Sequence, residues 1–248
     1  MRTKTRRILL AAAIVVVLLV AFLGVQVYRL KGDMDRMAAA ETGRITDRVA
    51  AVKDSIVNLY VVKGATRSIA FDAGNSTEGV RSGLKSLGID PAGVAAVFLT
   101  HGDSDHTGGL SVFEKADVYL PRAEEQMIDG RTARFFFFFK NELGRKHLPI
   151  DDGQTVEIDG LKVTAILTPG HTPGSTSYVV EGQYLFTGDN LSLQSGRAGV
   201  FSEMINMDSS VQRESLKRLA RLEGIRYVFT AHHGYTESFD AAFESLRR

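Results

Sequence analysis

The sequence predicts an α+β domain behind a single transmembrane helix, and three observations carry that expectation. From Ile8 through Tyr28 the chain has no charge, and Gln26 is the one strongly polar side chain. Beyond residue 55, short apolar β-branched runs alternate with segments whose apolar residues recur at helical spacing. Two pairs of such runs are separated by turn signals, Asp159-Gly160 and Glu181-Gly182-Gln183, as in β-hairpins.

At a rise of ~1.5 Å per residue, the uncharged run spans roughly 30 Å, the thickness of a hydrocarbon core. Arg2, Lys4, Arg6 and Arg7 precede it, which keeps the N-terminus cytoplasmic and sends the rest outward. Arg29 and Lys31 weaken that bias without reversing it. The competing reading is a cleavable signal peptide, against which stand the length of the run and the lack of a small-x-small cleavage site. Residues 1–32 therefore read as tail and anchor. Residues 33–55, polar and Ala-rich, read as a stalk, and residues 56–248 as the folded domain.

Within that domain Ile56–Val62 and Ser68–Phe71 read as paired strands, and Thr77–Leu87 as a helix with Val80, Leu84 and Leu87 on one face. Val94–Leu99 is a buried strand, and Val118–Leu120 a short one stopped by Pro121. Phe135–Phe139 must face more than one side in any regular structure, and core packing is the favoured reading for it. The hairpins are Thr155–Ile158 with Lys162–Leu167, and Ser177–Val180 with Tyr184–Phe186. Val211–Leu222 is an amphipathic helix, Tyr227–Phe229 a strand, and Phe239–Leu246 a closing helix.

The chain has 248 residues and no cysteine, so a disulfide framework and a thiolate metal site are both excluded. Its net charge of +1 hides an asymmetry. Residues 1–32 hold six of the 30 bases and no acid, which leaves 24 bases against 29 acids in the remainder, a net of −5. An acidic domain is a poor partner for a nucleic-acid backbone.

Chemistry concentrates at Thr100-His101-Gly102-Asp103-Ser104-Asp105-His106-Thr107-Gly108-Gly109, where a buried strand gives way to two imidazoles and two carboxylates within six positions. Histidine nitrogen and carboxylate oxygen are the donors that divalent transition metals take from proteins. Further candidates follow strands: His171 in Thr-Pro-Gly-His-Thr-Pro-Gly, Asp189 in Thr-Gly-Asp, and His232 in Thr-Ala-His-His-Gly. Upstream lies Phe71-Asp72-Ala73-Gly74. His147 has no motif around it and reads as a surface or pocket-lip residue.

In this order the motifs resemble the metallo-β-lactamase superfamily of metal-dependent hydrolases, on its glyoxalase-II and lactonase side. The family's usual signature is His-x-His-x-Asp-His, and the resemblance runs from about Ile56 to about Ser238. It implies a four-layer αββα sandwich with two metals at one edge of the sheets. It also implies a first-site set of His101, Asp103 and His171, a second-site set of Asp105, His106 and His232, and Asp189 as the bridging, catalytic carboxylate. Asp105 would also orient the nucleophile, a second catalytic role. His233 is the alternative to His232, and Asp72 would support the loop. Thr172, Ser175 and Tyr178 read as loop supports.

Two departures from the pattern matter. Asp189 stands where the best-known zinc β-lactamases carry Cys. Asp103 replaces a neutral imidazole, which lowers the formal charge of a two-ion site and favours harder ions such as Mn or Fe over the default Zn. The expected activity is hydrolysis of an ester, lactone, thioester or phosphoester outside the cytoplasm, by a metal-bound hydroxide acting on a small-molecule substrate. The alternatives are an iron-dependent redox enzyme, such as a sulfur dioxygenase, and a non-catalytic metal-binding module.

Overall fold

Helix α1 (Arg2–Asp35) opens the chain. Among the residues described by the computed structural model, 2–134 and 142–247, with side chains from residue 5, it is the one helix long and apolar enough to cross a membrane. Its apolar side chains stand exposed along its length, Val17 at 66% and Leu18 at 63%. The Phe135–Phe139 run lies outside the described residues.

The chain divides into two units, residues 1–37 and 38–248. The second begins with strands β1 (Gly43–Arg44), β2 (Val49–Asp54), β3 (Val57–Lys63) and β4 (Ser68–Phe71), followed by α2 (Thr77–Ser86). Strand β5 (Val94–Phe98), the single turn α3 (Ser104–Thr107), β6 (Asp117–Pro121), the turn α4 (Glu125–Ile128) and β7 (Leu148–Ile150) come next. These seven strands form one sheet in sequential order, antiparallel from β1 to β4 and parallel from β4 to β7.

The second half holds β8 (Thr155–Ile158), β9 (Leu161–Leu167), β10 (Thr176–Val180), β11 (Tyr184–Phe186), the hairpin β12 (Ser192–Gln194) and β13 (Arg197–Gly199), α5 (Ser209–Leu219), β14 (Tyr227–Phe229), β15 (Tyr235–Thr236) and α6 (Phe239–Phe243). Six of these strands form the second sheet, in the order β15-β14-β11-β10-β9-β8.

The strand period of two sorts side chains into layers. In β4 and β5, Ile69, Phe71, Ala96 and Phe98 face the second sheet, where they meet Tyr178, Phe186 and Phe229. Ala70 and Val97 face the other way, onto Val80 and Leu84 of α2 and onto Phe113. On the far face of the second sheet, Leu185 and Val228 pack against Leu216 and Leu219 of α5 and Phe239 and Phe243 of α6. The result is the expected αββα sandwich, its centre filled by stacked rings such as Phe71 on Phe186 at 4.1 Å.

The stalk expected over residues 33–55 is corrected. Residues 33–35 finish α1, while Val49–Asp54 form an almost wholly buried strand paired with β3. Val49, Ala51 and Val52 are core residues, so the burial offered by β3 overrides the weak helical bias of an Ala-rich segment. Ala38 N donates to the His232 carbonyl at 2.7 Å, and Asn58 bonds both the N–H and the carbonyl of Ala40. The folded unit therefore starts about eighteen residues earlier than expected.

Asp159-Gly160 makes the predicted tight turn, with φ of 51° and 78°. It also ties the sheets together. Asp159 Oδ2 accepts from the N–H of Thr66 and of Arg67, and Oδ1 from Thr66 Oγ1. The Arg67 and Thr66 bonds hold this carboxyl below its ordinary pKa. A carboxyl depressed in the folded state stabilises it fully above the unfolded value of about 3.9, and that stability is lost as pH falls through the folded value. The urea midpoint of Asp159→Asn should therefore lie below wild type at pH 7, with the gap closing under acid. A gap that persists unchanged to about pH 2 would remove the carboxylate from this account.

Candidate metal centre

The seven residues singled out by the sequence converge at one edge of the sandwich. His101 and Asp103 follow β5, Asp105 and His106 lie in α3, His171 sits between β9 and β10, Asp189 follows β11, and His232 follows β14. Each is delivered by a strand end or the loop leaving it, so a rigid sheet fixes where an irregular segment begins.

Asp189 is the hub. Its Oδ1 lies 3.3 Å from His106 Nε2 and 3.3 Å from His232 Nε2, while Oδ2 lies 3.3 Å from His171 Nε2 and 4.0 Å from His101 Nε2. Asp103 Oδ2 joins the latter pair, 3.4 Å from His101 Nε2 and 3.2 Å from His171 Nε2. Asp105 Oδ2 joins the former, 3.2 Å from His232 Nε2 and 3.8 Å from His106 Nε2. The donor atoms thus fall into two groups that share one carboxylate, with three imidazole–carboxylate triples each gathered within 4.8 Å.

The surrounding bonds turn all four imidazoles the same way. His232 Nδ1 donates to the Ile56 carbonyl, and His106 Nδ1 to Asp72 Oδ2 at 2.8 Å. The Thr100 hydroxyl donates to Asp72 and so accepts from His101 Nδ1. His171 Nδ1 donates to Asn206 Oδ1, because the Asn206 amide nitrogen is spent on Ser209 and Gln212. Nε2 of each ring is left facing the cluster, the arrangement by which outer hydrogen bonds prepare histidine for metal. His101 Nε2, His106 Nε2 and Asp189 Oδ1 are buried without a hydrogen-bond partner. Such orphaned atoms are costly unless a cation satisfies them, and three carboxylates among four imidazoles fit two divalent ions.

Charge follows from the same geometry. Burial works against ionising Asp189 and Asp103, yet His232, His106 and His171 around the first, and His101 and His171 around the second, hold both well below the carboxylate range. Burial likewise opposes charge on His232, but Asp189 and Asp105 carry it up to about 10. For His171 burial prevails and its pKa falls.

Asp72 supports the loop, as expected, from a left-handed conformation at φ 61°. Thr172, Ser175 and Tyr178 are also structural. Thr172 N bonds Ser175 Oγ, and the Tyr178 hydroxyl donates to the Leu99 carbonyl. Of the two adjacent histidines, His232 reaches the carboxylates, whereas His233 turns its ring toward Phe201, 5.9 Å away. Phe201 also covers His171 and His232, at 5.2 and 5.5 Å. His147 lies elsewhere, paired with Glu125.

Two contributors carried no sequence signal. Glu124 is fully buried, and its carboxylate accepts from Gly102 N, Thr172 Oγ1 and Gly174 N, binding the His101 loop to the His171 loop. Gly174 is required there because a Cβ would stand 2.2 Å from Glu124 N. Burial raises the Glu124 carboxyl above its ordinary value. Arg134, 8% exposed, is the second; its Nη2 lies 2.7 Å from Asp103 Oδ2.

The family model for the metallo-β-lactamase superfamily matches residues 52–232. The chain belongs to that superfamily. Among curated relatives, the hydroxyacylglutathione hydrolase of Gloeobacter violaceus is 28% identical over 193 residues, covering 76% of this chain and 67% of that protein. The atrochrysone carboxyl ACP thioesterase of Aspergillus novofumigatus is 32% identical over 148 residues, covering 58% of this chain and 40% of that one. The chain spans about two fifths to two thirds of the length of such relatives. A B3 metallo-β-lactamase described as the first with an active-site glutamic acid superposes with a TM-score of 0.67 at 17% identity, covering 88% of this chain and 90% of its own. At that identity the likeness establishes the superfamily fold alone.

Proposed function

We propose that this superfamily member is a metal-dependent hydrolase of an ester-type bond, with a thioester as the leading substrate and lactones, oxygen esters and phosphoesters behind it. The observation that carries the reading is Asp189, whose two oxygens face separate pairs of imidazoles. His101, Asp103 and His171 would hold one ion, Asp105, His106 and His232 the other, and Asp189 would bridge them. Divalent ions held there would supply an acidified water and Lewis-acid polarisation of the scissile carbonyl or phosphoryl group. Zinc is the default occupant for imidazole-rich donors, with Mn or Fe admitted by the three carboxylates.

The chain's own groups do the rest. Asp105, whose side chain is 30% exposed against 5% for Asp189, is the carboxylate open to incoming reactants and orients the attacking water. Glu124 keeps the two ligand loops in register. Phe201 excludes bulk water from one side, which strengthens every charge interaction within. The preference for a thioester rests on the two relatives named as an acylglutathione hydrolase and an ACP thioesterase. Full-length protein in detergent, loaded with Zn or Mn, should turn over acyl thioesters faster than lactones, activated phosphodiesters or a chromogenic β-lactam. No turnover of any of these by metal-loaded protein would refute the hydrolase reading.

We infer that α1 is an uncleaved anchor; the bases on its N-terminal side would then keep residues 38–248 outside the cytoplasm. The chain has no cysteine and Ser238 is exposed, so Ser238→Cys introduces a lone thiol. It should react with an impermeant maleimide on intact cells, in membrane-bound protein of full length. Labelling only after lysis reverses the topology, and a shortened soluble product identifies α1 as a cleaved signal.

A further inference from the structure

The first half of the cluster already contains a cation supplied by the chain. Arg134 lies between α4 and β7, buried, with Nη2 2.7 Å from Asp103 Oδ2 and 3.1 Å from His171 Nε2. Nη1 donates to the Ile205 carbonyl at 2.5 Å, and Nη2 also approaches the His171 carbonyl at 3.4 Å. A guanidinium has donors only and stays charged at any pH a protein tolerates. Nε2 of His171 has two neighbours, the Arg134 donor and Asp103 Oδ2 at 3.2 Å; with the ring proton on Nδ1, facing Asn206 Oδ1, Nε2 carries a lone pair and accepts from Arg134. An imidazole nitrogen has one lone pair. With Nδ1 of His171 committed as a donor to Asn206, that lone pair is the ring's remaining ligating group. It cannot serve an N–H and a metal ion at once.

The second half is built differently. Nε2 of His106 and of His232 face Asp105 and Asp189, while their Nδ1 atoms face Asp72 and the Ile56 carbonyl. All of these neighbours are acceptors, and none is a fixed cation.

We propose that Arg134 is an internal competitor for the first metal site, so that the two sites are unequal by design of the chain. This rests on the two-ion reading above. An ion enters at Asp105, His106, His232 and Asp189 against no guanidinium among the described residues. An ion at His101, Asp103 and His171 must first draw Arg134 off the His171 lone pair and then share Asp103 with it, against the repulsion of a buried positive charge. At limiting metal the chain therefore holds one ion in the second site, with Arg134 standing in for the other as the counter-charge of Asp103. The second ion is admitted only at higher metal concentration.

The test is a metal titration rather than an activity. Full-length protein in detergent is stripped with a chelator and titrated with Zn(II), and separately with Mn(II), by calorimetry against a competing chromophoric chelator. Wild type should show two steps, the second at least tenfold weaker. Arg134→Gln removes the charge and leaves the first step unchanged. It should tighten the second by about 10- to 100-fold, the range over which neighbours of ligands tune metal affinity. Arg134→Lys, whose point charge sits on a flexible stem, should fall between the two; if the Gln variant does not fold, a second step tighter than wild type in the Lys variant is the required result. Two equally tight steps in wild type would overturn the competition and leave the metal centre intact. A weaker second step in Arg134→Gln would likewise overturn it, since Arg134 would then be supporting the site. Failure of every form to bind either ion would instead bring down the metal centre beneath it.

Discussion

Asp189→Ala is expected to abolish hydrolysis and to leave the chain unable to hold two ions even at saturating metal. The reason is geometric. Oδ1 faces His106 and His232 and Oδ2 faces His171, each at 3.3 Å, so one truncation removes a donor from both halves. It would also remove the carboxylate proposed to bridge two ions, and shared activation of a water depends on such a bridge. Lewis-acid stabilisation is worth several kcal/mol, and each 1.36 kcal/mol is tenfold in rate, so a loss of ~10³-fold or more is expected. The fold should survive. The Asp189 backbone carbonyl still accepts from Gln212 Nε2, and the turn after β11 rests on Gly188, at φ 53°. Metal analysis after equilibrium dialysis, with near-UV circular dichroism as the folding control, checks the result. A folded Asp189→Ala protein with two ions and wild-type turnover would show that Asp189 does not bridge.

What could be read from the sequence was local in origin. His101, Asp103, Asp105 and His106 stand out because they follow the apolar strand Val94–Phe98 within a few residues, and His171, Asp189 and His232 each follow another strand. The hairpin at Asp159-Gly160 was legible for the same reason, since Asp-Gly is a residue pair that accepts the positive φ such a turn requires, as it does here. What escaped depends on contacts between distant residues. Arg134 reaches His171 across 37 positions, and Glu124 reaches Gly102 across 22 and Gly174 across 50. Arginine and glutamate are mostly exposed as residue types, and only the closed fold shows both of these buried. Strand β2 was missed because Val49-Ala-Ala-Val carries little strand propensity of its own. Its pairing with β3 and its burial decide it.

Asp103 separates the sequence-level pattern from the structure most sharply, and its substitution carries the second large effect. Asp103→Ala should empty the first site and leave the second largely filled by Asp105, His106, His232 and Asp189. Two changes act together. The carboxylate 3.2 Å from His171 Nε2 and 3.4 Å from His101 Nε2 is gone, and Arg134 keeps its hold on His171 without Asp103 to draw it aside. A buried guanidinium without its partner is also destabilising, by roughly 3–5 kcal/mol for pairs of this kind, so a lower Tm should accompany the lost ion. The cleaner probe is Asp103→His made together with Arg134→Gln, compared with Arg134→Gln alone. There the exchange is one carboxylate for one imidazole, with no stranded guanidinium. The second ion should be retained, preference should move from Mn or Fe toward Zn because imidazole is the softer donor, and the acidic limb of the pH–rate profile should move downward. The sign of that shift follows from charge: a neutral ligand leaves the ion pair more electrophilic and the attacking water more acidic. If Asp103 instead faces solvent and binds nothing, alanine and histidine at 103 would leave metal content, metal preference and pH profile as they are in their parents, and Asp103 would be struck from the ligand set.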